Sequence, residues 1–367
     1  MKLYIIAGEA SGDLHASNLM RELNLLDNKM EYRCWGGNLM EEQGGVIVKH
    51  YHDLAFMGFL EVILNLRTIL SNLAFCKKDI LTFQPDAVIL VDYPGFNLKI
   101  AEFLHKNGIP VIYYISPQIW AWKQSRVKII RRVVDKMIVI LPFEKEFYAR
   151  HGMNVEFHGH PLLDALGNSN FNPVFPDEKK PVVALLPGSR KQEIQKVLPE
   201  MAKMARDFPE AKFVIAGVAS HSKEFYHKIA GNNSIPVISG RTYDLLKQAK
   251  AALVTSGTAT LETAIIGTPE VVCYKGGIIS YQIAKRIIKV KYISLVNLIM
   301  DKPVVKELIQ NELNSENLKH QLNLILNNSS AREMIARNYA ELRDILGGDG
   351  ASRRAAESIS GFLKKRI

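Results

Sequence analysis

The sequence predicts an α/β protein built as two Rossmann-like domains facing a cleft. Three observations carry this. Short apolar runs alternate with amphipathic segments through most of the chain, the rhythm of parallel strands joined by helices. The chain has 367 residues, more than one core of ordinary size uses. The rhythm pauses once, over residues 168–180, where Pro173, Pro176 and Asp177 occur without periodicity, as in an interdomain linker. Two βα halves joined in this way leave a cleft between facing strand ends, where such sheets bind ligands.

Taken in order, residues 3–7 read as the first strand, the turn Gly8-Glu9-Ala10-Ser11-Gly12-Asp13 follows, and a helix is expected over about 14–26. Residues 32–35 and 46–49 read as short strands, and a long helical segment is expected over about 56–78. Residues 86–91 form a buried strand that delivers Asp92 to its C-terminal end, and strands at 111–115 and 136–141 follow. Past the linker, strands are expected at 182–186, 213–216, 237–238, 252–255 and 270–274, with helices between. Beyond about Glu316 the pattern is only helical.

Apolar residues make up 47 % and charged residues 23 %, as in a soluble globular protein. The three cysteines stand apart, with no spacing for a metal site or a disulfide framework, which points to a reducing compartment. The first residues enter a strand and glycine turn rather than a signal peptide, and no apolar run approaches the roughly 20 residues of a spanning helix. A net charge of +10 favours anionic partners: nucleic acid, an acidic membrane surface or phosphorylated substrates. Basic residues are scattered without an RNA-binding aromatic pattern, which argues against nucleic acid.

Two stretches in the second half resemble anion cradles. Leu185-Leu-Pro-Gly-Ser-Arg-Lys-Gln-Glu193 is a strand, a glycine turn and a fresh helix start, with Ser189 and Gln192 at capping-box spacing. Free N–H groups there prefer an anion, and Arg190 adds a planar bidentate charge; a plain capped helix is the alternative. Val254-Thr-Ser-Gly-Thr-Ala-Thr-Leu-Glu262 repeats the layout: Ser256, Gly257 and Thr258 supply N–H groups and hydroxyls. Glu262 stands one turn inside, suited to sugar or ribose hydroxyls, or simply to the helix dipole. The GxGxxG dinucleotide fingerprint is missing, and so is any Asp-x-Asp metal motif.

In the first half, Asp92 heads Asp92-Tyr-Pro-Gly-Phe-Asn97. Flanked by Tyr93 and Phe96, its carboxylate can be partly desolvated and suited to taking a hydroxyl proton; a turn aspartate capping the next helix is the other reading. Glu9, Ser11 and Asp13 lie on the first βα turn, either to bind sugar or phosphate or to cap the helix. His160 stands alone near the linker, as a hinge-packing residue. The segment 56–70 is apolar nearly all round, either a buried helix or a surface for lipid. Basic clusters occur at Lys123, Arg126, Lys128, Arg131 and Arg132, flanked by Trp120 and Trp122, and at Lys285, Arg286, Lys289 and Lys291.

Ala7-Gly-Glu-Ala-Ser-Gly-Asp13, Asp92-Tyr-Pro-Gly-Phe-Asn97, Ser116-Pro-Gln-Ile-Trp-Ala-Trp-Lys123, Leu141-Pro-Phe-Glu144, Gly159-His160, Leu186-Pro-Gly-Ser-Arg190, Ser256-Gly-Thr-Ala-Thr-Leu-Glu262 and Ser294-Leu-Val-Asn-Leu298 occur in that order. Together they resemble the lipid-A-disaccharide synthase family across nearly the whole chain. The resemblance implies a GT-B inverting glycosyltransferase that needs no metal and no cofactor. Its substrates would be UDP-2,3-diacylglucosamine and 2,3-diacylglucosamine 1-phosphate, joined β-1,6 with release of UDP. By position, Asp92 would be the general base and Arg190 a donor-phosphate ligand. Ser189, Ser256, Gly257, Thr258, Glu262 and Asn297 would line the UDP-sugar pocket, and Glu9 and Ser11 would face the acceptor.

The resemblance also implies a cytoplasmic protein held peripherally at the anionic inner-membrane surface, and it allows a homodimer. Its domains would be an acceptor domain over 1–168, a UDP-sugar domain over 181–335, and helices at 336–367 that return to the first domain. Many relatives carry a second Asp where this chain has Gly95. A different lipid glycosyltransferase or a UDP-sugar epimerase are the rival enzymatic readings, and a nucleic-acid binder is the non-enzymatic one.

Overall fold

A computed structural model describes residues 1–54, 66–122, 124–167, 171–277 and 290–366. The chain divides into two compact units, Met1–Gly167 with Leu346–Ile367, and Asn168–Ile345. The expected apolar helix over 56–65, and Lys123, Lys285, Arg286 and Lys289 of the basic clusters, lie outside the described residues.

The first unit holds strands β1 (Lys2–Ala7), β2 (Glu31–Gly36), β3 (Gly45–His50), β4 (Ala87–Val91), β5 (Val111–Tyr114), β6 (Lys136–Val139) and β7 (Glu156–Phe157). Its helices among the described residues are α1 (Ala10–Leu26), α2 (Asn38–Glu42), α3 (Leu66–Phe83), α4 (Pro94–Lys106), α5 (Ile119–Trp122), α6 (Val127–Val133), α7 (Pro142–Ala149) and α8 (Leu162–Gly167). The second unit holds β8 (Val182–Leu186), β9 (Lys212–Gly217), β10 (Val237–Ser239), β11 (Ala251–Thr255), β12 (Glu270–Tyr274) and β13 (Lys306–Ile309). Between and after them come α9 (Lys191–Asp207), α10 (Lys223–Ala230), α11 (Thr242–Gln248), α12 (Thr258–Ile266), α13 (Leu295–Met300), α14 (Ser315–Asn327) and α15 (Ser329–Ile345). The last helix, α16 (Ala351–Lys364), returns to the first unit.

Both sheets are parallel, in the orders β3-β2-β1-β4-β5-β6-β7 and β10-β9-β8-β11-β12-β13. In each, the first strand sits between the second and the fourth. The crossovers therefore turn opposite ways at β1/β4 and at β8/β11, which splays the loops there and opens a crevice beyond the strand ends. Every residue of β4, β8 and β11 is buried, because helices cover both faces. Strand alternation sends Tyr4, Ile6, Val88 and Leu90 into one core of the first unit, and Leu3, Ile5, Ile89 and Val91 into the other.

That second core is completed by α16. Ala355, Ala356, Ile359 and Leu363 pack on it beside Ala16 and Leu19 of α1. The Asp164 carboxylate holds the α16 start by accepting from the Gly350 and Ser352 amides at 2.6 and 2.7 Å. Arg354 donates to the carbonyls of His158 and Gly347, at 2.9 and 3.0 Å. His160 is buried where this crossing occurs: its amide donates to Leu346 O at 2.9 Å, and its ring stands perpendicular to that of His15. The boundary expected at 336 is corrected. The α15 helix runs unbroken through it to Ile345, with Arg343 donating to Ile265 O at 2.6 Å, and the chain leaves the second unit at Leu346.

The described part of the expected 56–78 helix is α3, which runs on to Phe83. The first helix starts at Ala10 rather than near 14. The linker expectation also needs revision. Residues 172–175 dock within the second unit, where Asp244 accepts from the Asn172 amide and Gln248 from the Val174 and Phe175 amides. Strands β7 and β13 were not expected; both are edge strands, β7 of two residues and β13 with one buried residue, too short for a period to register in the sequence. Among the described residues no helix is long and apolar enough to cross a membrane.

Candidate active site

Each unit presents a polar rim at its topological switch point. In the first unit, Ala7 pairs in register with Val91, so Glu9 and Asp92 leave neighbouring strand ends. Glu9 is the half-buried N-cap residue of α1 and Ser11 is exposed on its first turn. Asp13 does not cap its own helix. Its carboxylate accepts from the Gly37, Leu39 and Met40 amides at 2.8, 3.2 and 3.2 Å and so caps α2.

Asp92 and Tyr93 both have left-handed backbones, with φ of 44° and 47°, and so does Ile115, with φ of 68°, at the end of β5. Such conformations cost about 1–2 kcal/mol per non-glycine residue, and Ile, being β-branched, is a clear outlier. They persist because polar partners over-determine them. The Asp92 amide donates to Ile115 O at 3.2 Å. Its carbonyl accepts from Asn97 Nδ2 at 2.8 Å and from the Tyr113 hydroxyl at 2.6 Å. Gly8 is required here, since a Cβ on it would lie 2.4 Å from the Tyr93 ring.

The Asp92 carboxyl is pushed up to about 7, first by burial and then by the nearby Glu9 carboxylate, against the pull of the Tyr93 amide. Tyr93 and Phe96 do not flank it symmetrically: Phe96 is buried, stacked between Tyr93 and Trp35 at ring separations of 5.5 and 5.2 Å. Next along the rim, buried Glu144 accepts from the Ile140 and Leu141 amides at 3.2 and 2.9 Å, and burial raises it to about 7.

In the second unit, Leu186 pairs with Val254, so the two glycine turns stand side by side. Gly188 has φ of 98°, and a Cβ there would meet Glu193 Oε2 at 2.9 Å and Thr255 Cγ2 at 3.5 Å. The capping box expected from Ser189 and Gln192 is corrected: α9 begins at Lys191, its N-cap residue is Arg190, and no side chain caps it. Ser189 and Arg190 are exposed, and Arg190 Nη1 lies 3.0 Å from Glu193 Oε1.

At the second turn, Gly257 is the N-cap residue of α12, extended and exposed beside exposed Thr258, and no side chain caps this helix start either. Ser256 donates its hydroxyl to Ile293 O at 2.8 Å. Glu262 is half-buried; burial raises it to about 7, and a hydrogen bond from the Tyr243 hydroxyl opposes the rise.

Asn297 is held by its own hydrogen bonds. Its side chain is 1 % exposed: Nδ2 donates to Val305 O and Glu307 Oε1, each at 2.9 Å, while Oδ1 accepts from Val305 N at 2.9 Å. Its amide staples the 293–307 excursion. Glu307, unnoticed in the sequence, accepts from the Ile293 and Ser294 amides at 3.0 Å each and positions the carbonyl that Ser256 uses. Asn97 and Tyr113 were likewise missed as a pair, because their shared acceptor appears only once β4 and β5 are adjacent. Among the described residues, no three His, Cys, Asp or Glu side chains gather closely enough to hold a metal.

Two Rossmann-like units, each a parallel sheet with a polar rim at its switch point, define the GT-B fold class. Solved structures share this fold. The calicheamicin glycosyltransferase CalG4 has a TM-score of 0.61 at 16 % identity, over 100 % of this chain and 99 % of that one. The UDP-GlcNAc 2-epimerase of Neisseria meningitidis bound to UDP-GlcNAc has a TM-score of 0.69 at 14 % identity, over 98 % and 100 %. At such identities the likeness shows the fold alone.

Sequence carries the identification further. The family model for lipid-A-disaccharide synthetase matches residues 3–359. The lipid-A-disaccharide synthase of Syntrophus aciditrophicus (strain SB) is 41 % identical, over 98 % of this chain and 97 % of the relative. That of Trichlorobacter lovleyi is 37 % identical, over 99 % and 98 %. The chain belongs to the lipid-A-disaccharide synthase family and is an enzyme of that type.

Proposed function

We propose that this chain transfers 2,3-diacylglucosamine from its UDP donor to 2,3-diacylglucosamine 1-phosphate, forming the β-1,6 disaccharide 1-phosphate and UDP. The donor binds the second unit. Its diphosphate takes the uncapped helix starts at Arg190 and Gly257, where amide groups and the Arg190 guanidinium replace a metal's charge. A phosphate competes with Glu193 for Arg190. Ser189, Ser256, Gly257 and Thr258 line this turn, and Glu262 meets donor hydroxyls with Tyr243 behind it. Asn297 acts from beneath, by shaping the Ser294 segment.

The acceptor binds the first unit, beside Glu9 and Ser11. Its 6-hydroxyl oxygen attacks the anomeric carbon in line as the bond to UDP breaks, through an oxocarbenium-like state. Asp92 takes the hydroxyl proton, and the electron pair of the breaking bond leaves with UDP. The single observation that carries this reading is the state of Asp92: a carboxyl near pH 7 on a strained turn at the switch point, ready to accept a proton at neutral pH.

The rival epimerase reading rests on fold likeness alone, whereas the full-length relatives at up to 41 % identity are synthases. A product assay with both lipid sugars, with and without EDTA, tests the proposal. Disaccharide that forms in the chelator supports it; absence of product under both conditions rejects it.

A peripheral seat on anionic lipid is supported by exposed Lys128, Arg131 and Arg132 on α6 and by Leu70, Phe75 and Leu81, which are 46–51 % exposed on α3. Failure to co-sediment with anionic vesicles at low salt would reject it.

A further inference from the structure

We infer that Asn97 and Tyr113 form a clamp on the Asp92 main chain that positions the catalytic carboxylate. This inference rests on the reading of Asp92 as general base. At a switch point the neighbouring strands part, and their last carbonyls lose the partners a regular ladder gives them. Asn97, fully buried on the first turn of α4, supplies those partners. Its Nδ2 donates to Asp92 O at 2.8 Å, Val91 O at 3.2 Å and, across the switch, Ile6 O at 3.5 Å. The orientation of the amide follows from this set, since the reverse would press an oxygen against three carbonyl oxygens.

Tyr113, buried at β5, fills the second lone pair of the Asp92 carbonyl at 2.6 Å. With the Asp92 amide bound to Ile115 O, both main-chain groups of Asp92 are spent and its left-handed conformation is fixed. The carboxylate is then the one group of Asp92 left for a substrate. The Asn97 Oδ1 has no partner among the described residues. A buried amide that leaves its acceptor unpaired is kept for its two donors, and both are spent at this turn. Neither residue reaches a substrate; both are positioning residues.

Reacting groups misplaced by about 1 Å lose about 100-fold in rate, which sets the scale of the test. Tyr113→Phe keeps the ring and removes one donor, so kcat is expected to fall about 3- to 10-fold; Asn97→Ser should cost about 10- to 100-fold. The KM for the donor and the UDP affinity by calorimetry stay within about twofold, because the second unit binds both. Each variant is then combined with Asp92→Asn and followed in single turnovers with enzyme in excess. A clamp that acts through the carboxylate loses its effect there, so the double variants turn over like Asp92→Asn alone.

Wild-type kcat in both single variants, or the same fold loss with and without Asp92, overturns the inference. A fall in donor affinity that accounts for the whole loss overturns it too. If Asp92→Asn itself keeps wild-type turnover, the base assignment fails first and the clamp falls with it. If Asp92→Asn is impaired while Tyr113→Phe and Asn97→Ser are normal, only the clamp is wrong.

Discussion

Replacing Asp92 by Asn should impair the enzyme and stabilise it in one step. The folded carboxyl titrates near 7 rather than at its ordinary 3.8. Between those values the folded chain holds a proton that the unfolded chain releases. Stability from this group is therefore full below 3.8 and lost as pH rises through 7. A gap of about 3 units corresponds to about 4 kcal/mol at 1.36 kcal/mol per unit. Asp92 is only half-buried, so solvent screening cuts this to about 2 kcal/mol.

At pH 8 the wild type bears the whole cost, whereas at pH 5 it bears only the part already accrued above 3.8, somewhat under half. The Asn variant bears none. Asn also tolerates the left-handed turn better, but that benefit does not depend on pH. The gain in Tm should thus be larger at pH 8 than at pH 5 by about 1 kcal/mol, or about 2–4 °C for a unit of this size. Scanning calorimetry at the two pH values reads it. A Tm gain of equal size at both would refute the raised carboxyl.

The same variant should retain UDP affinity and lose about 10²–10⁴ in turnover. Wild-type turnover should climb with pH through about 7 and level above it, because the base must be ionised. Near-normal turnover in the variant would remove Asp92 from the base role.

Arg190→Ala should weaken UDP binding by about tenfold, the low end for a hydrogen bond to a charged group, because Arg190 is exposed and already paired with Glu193; unchanged affinity by calorimetry would reject the phosphate assignment. Gly95→Asp should fold well, since nothing lies within 4 Å of the new Cβ, and a carboxylate in the first turn of α4 should add about 0.5–1 kcal/mol. A lower Tm would contradict that. Asp164→Ala should cost about 1–2 kcal/mol and expose α16 to limited proteolysis, because the Gly350 and Ser352 amides lose their acceptor; a protease-resistant C-terminus would show that side-chain packing alone holds the helix.

Much of this molecule was legible in its sequence. The expected strands fall within a residue or two of their predicted bounds, because burial on both faces writes an unbroken apolar run; the short edge strands β7 and β13 were not expected. The glycine turns after β1, β8 and β11 are visible for the same local reason: only certain residues leave a strand and start a helix at once. That places Glu9, Asp92, Arg190 and the Ser256–Thr258 turn at strand ends from local pattern alone.

What the sequence could not hold is any property that needs a distant partner. Asp13 looks like a cap for its own helix and caps α2 instead. Asn297 sits in a motif and spends its amide on Val305 and Glu307. Ser189 has capping-box spacing, yet Arg190 is the N-cap residue, because Gly188 turns the chain with φ of 98°. The helical tail reads as one amphipathic series, but α15 stays with the second unit and α16 completes the core of the first. Local pattern sets which residues become strand, turn and helix. The Asp92 carboxyl rises toward neutrality only where the fold buries it beside Glu9, and its left-handed backbone is held by Tyr113 and Ile115, more than 20 residues away; both are facts of tertiary structure.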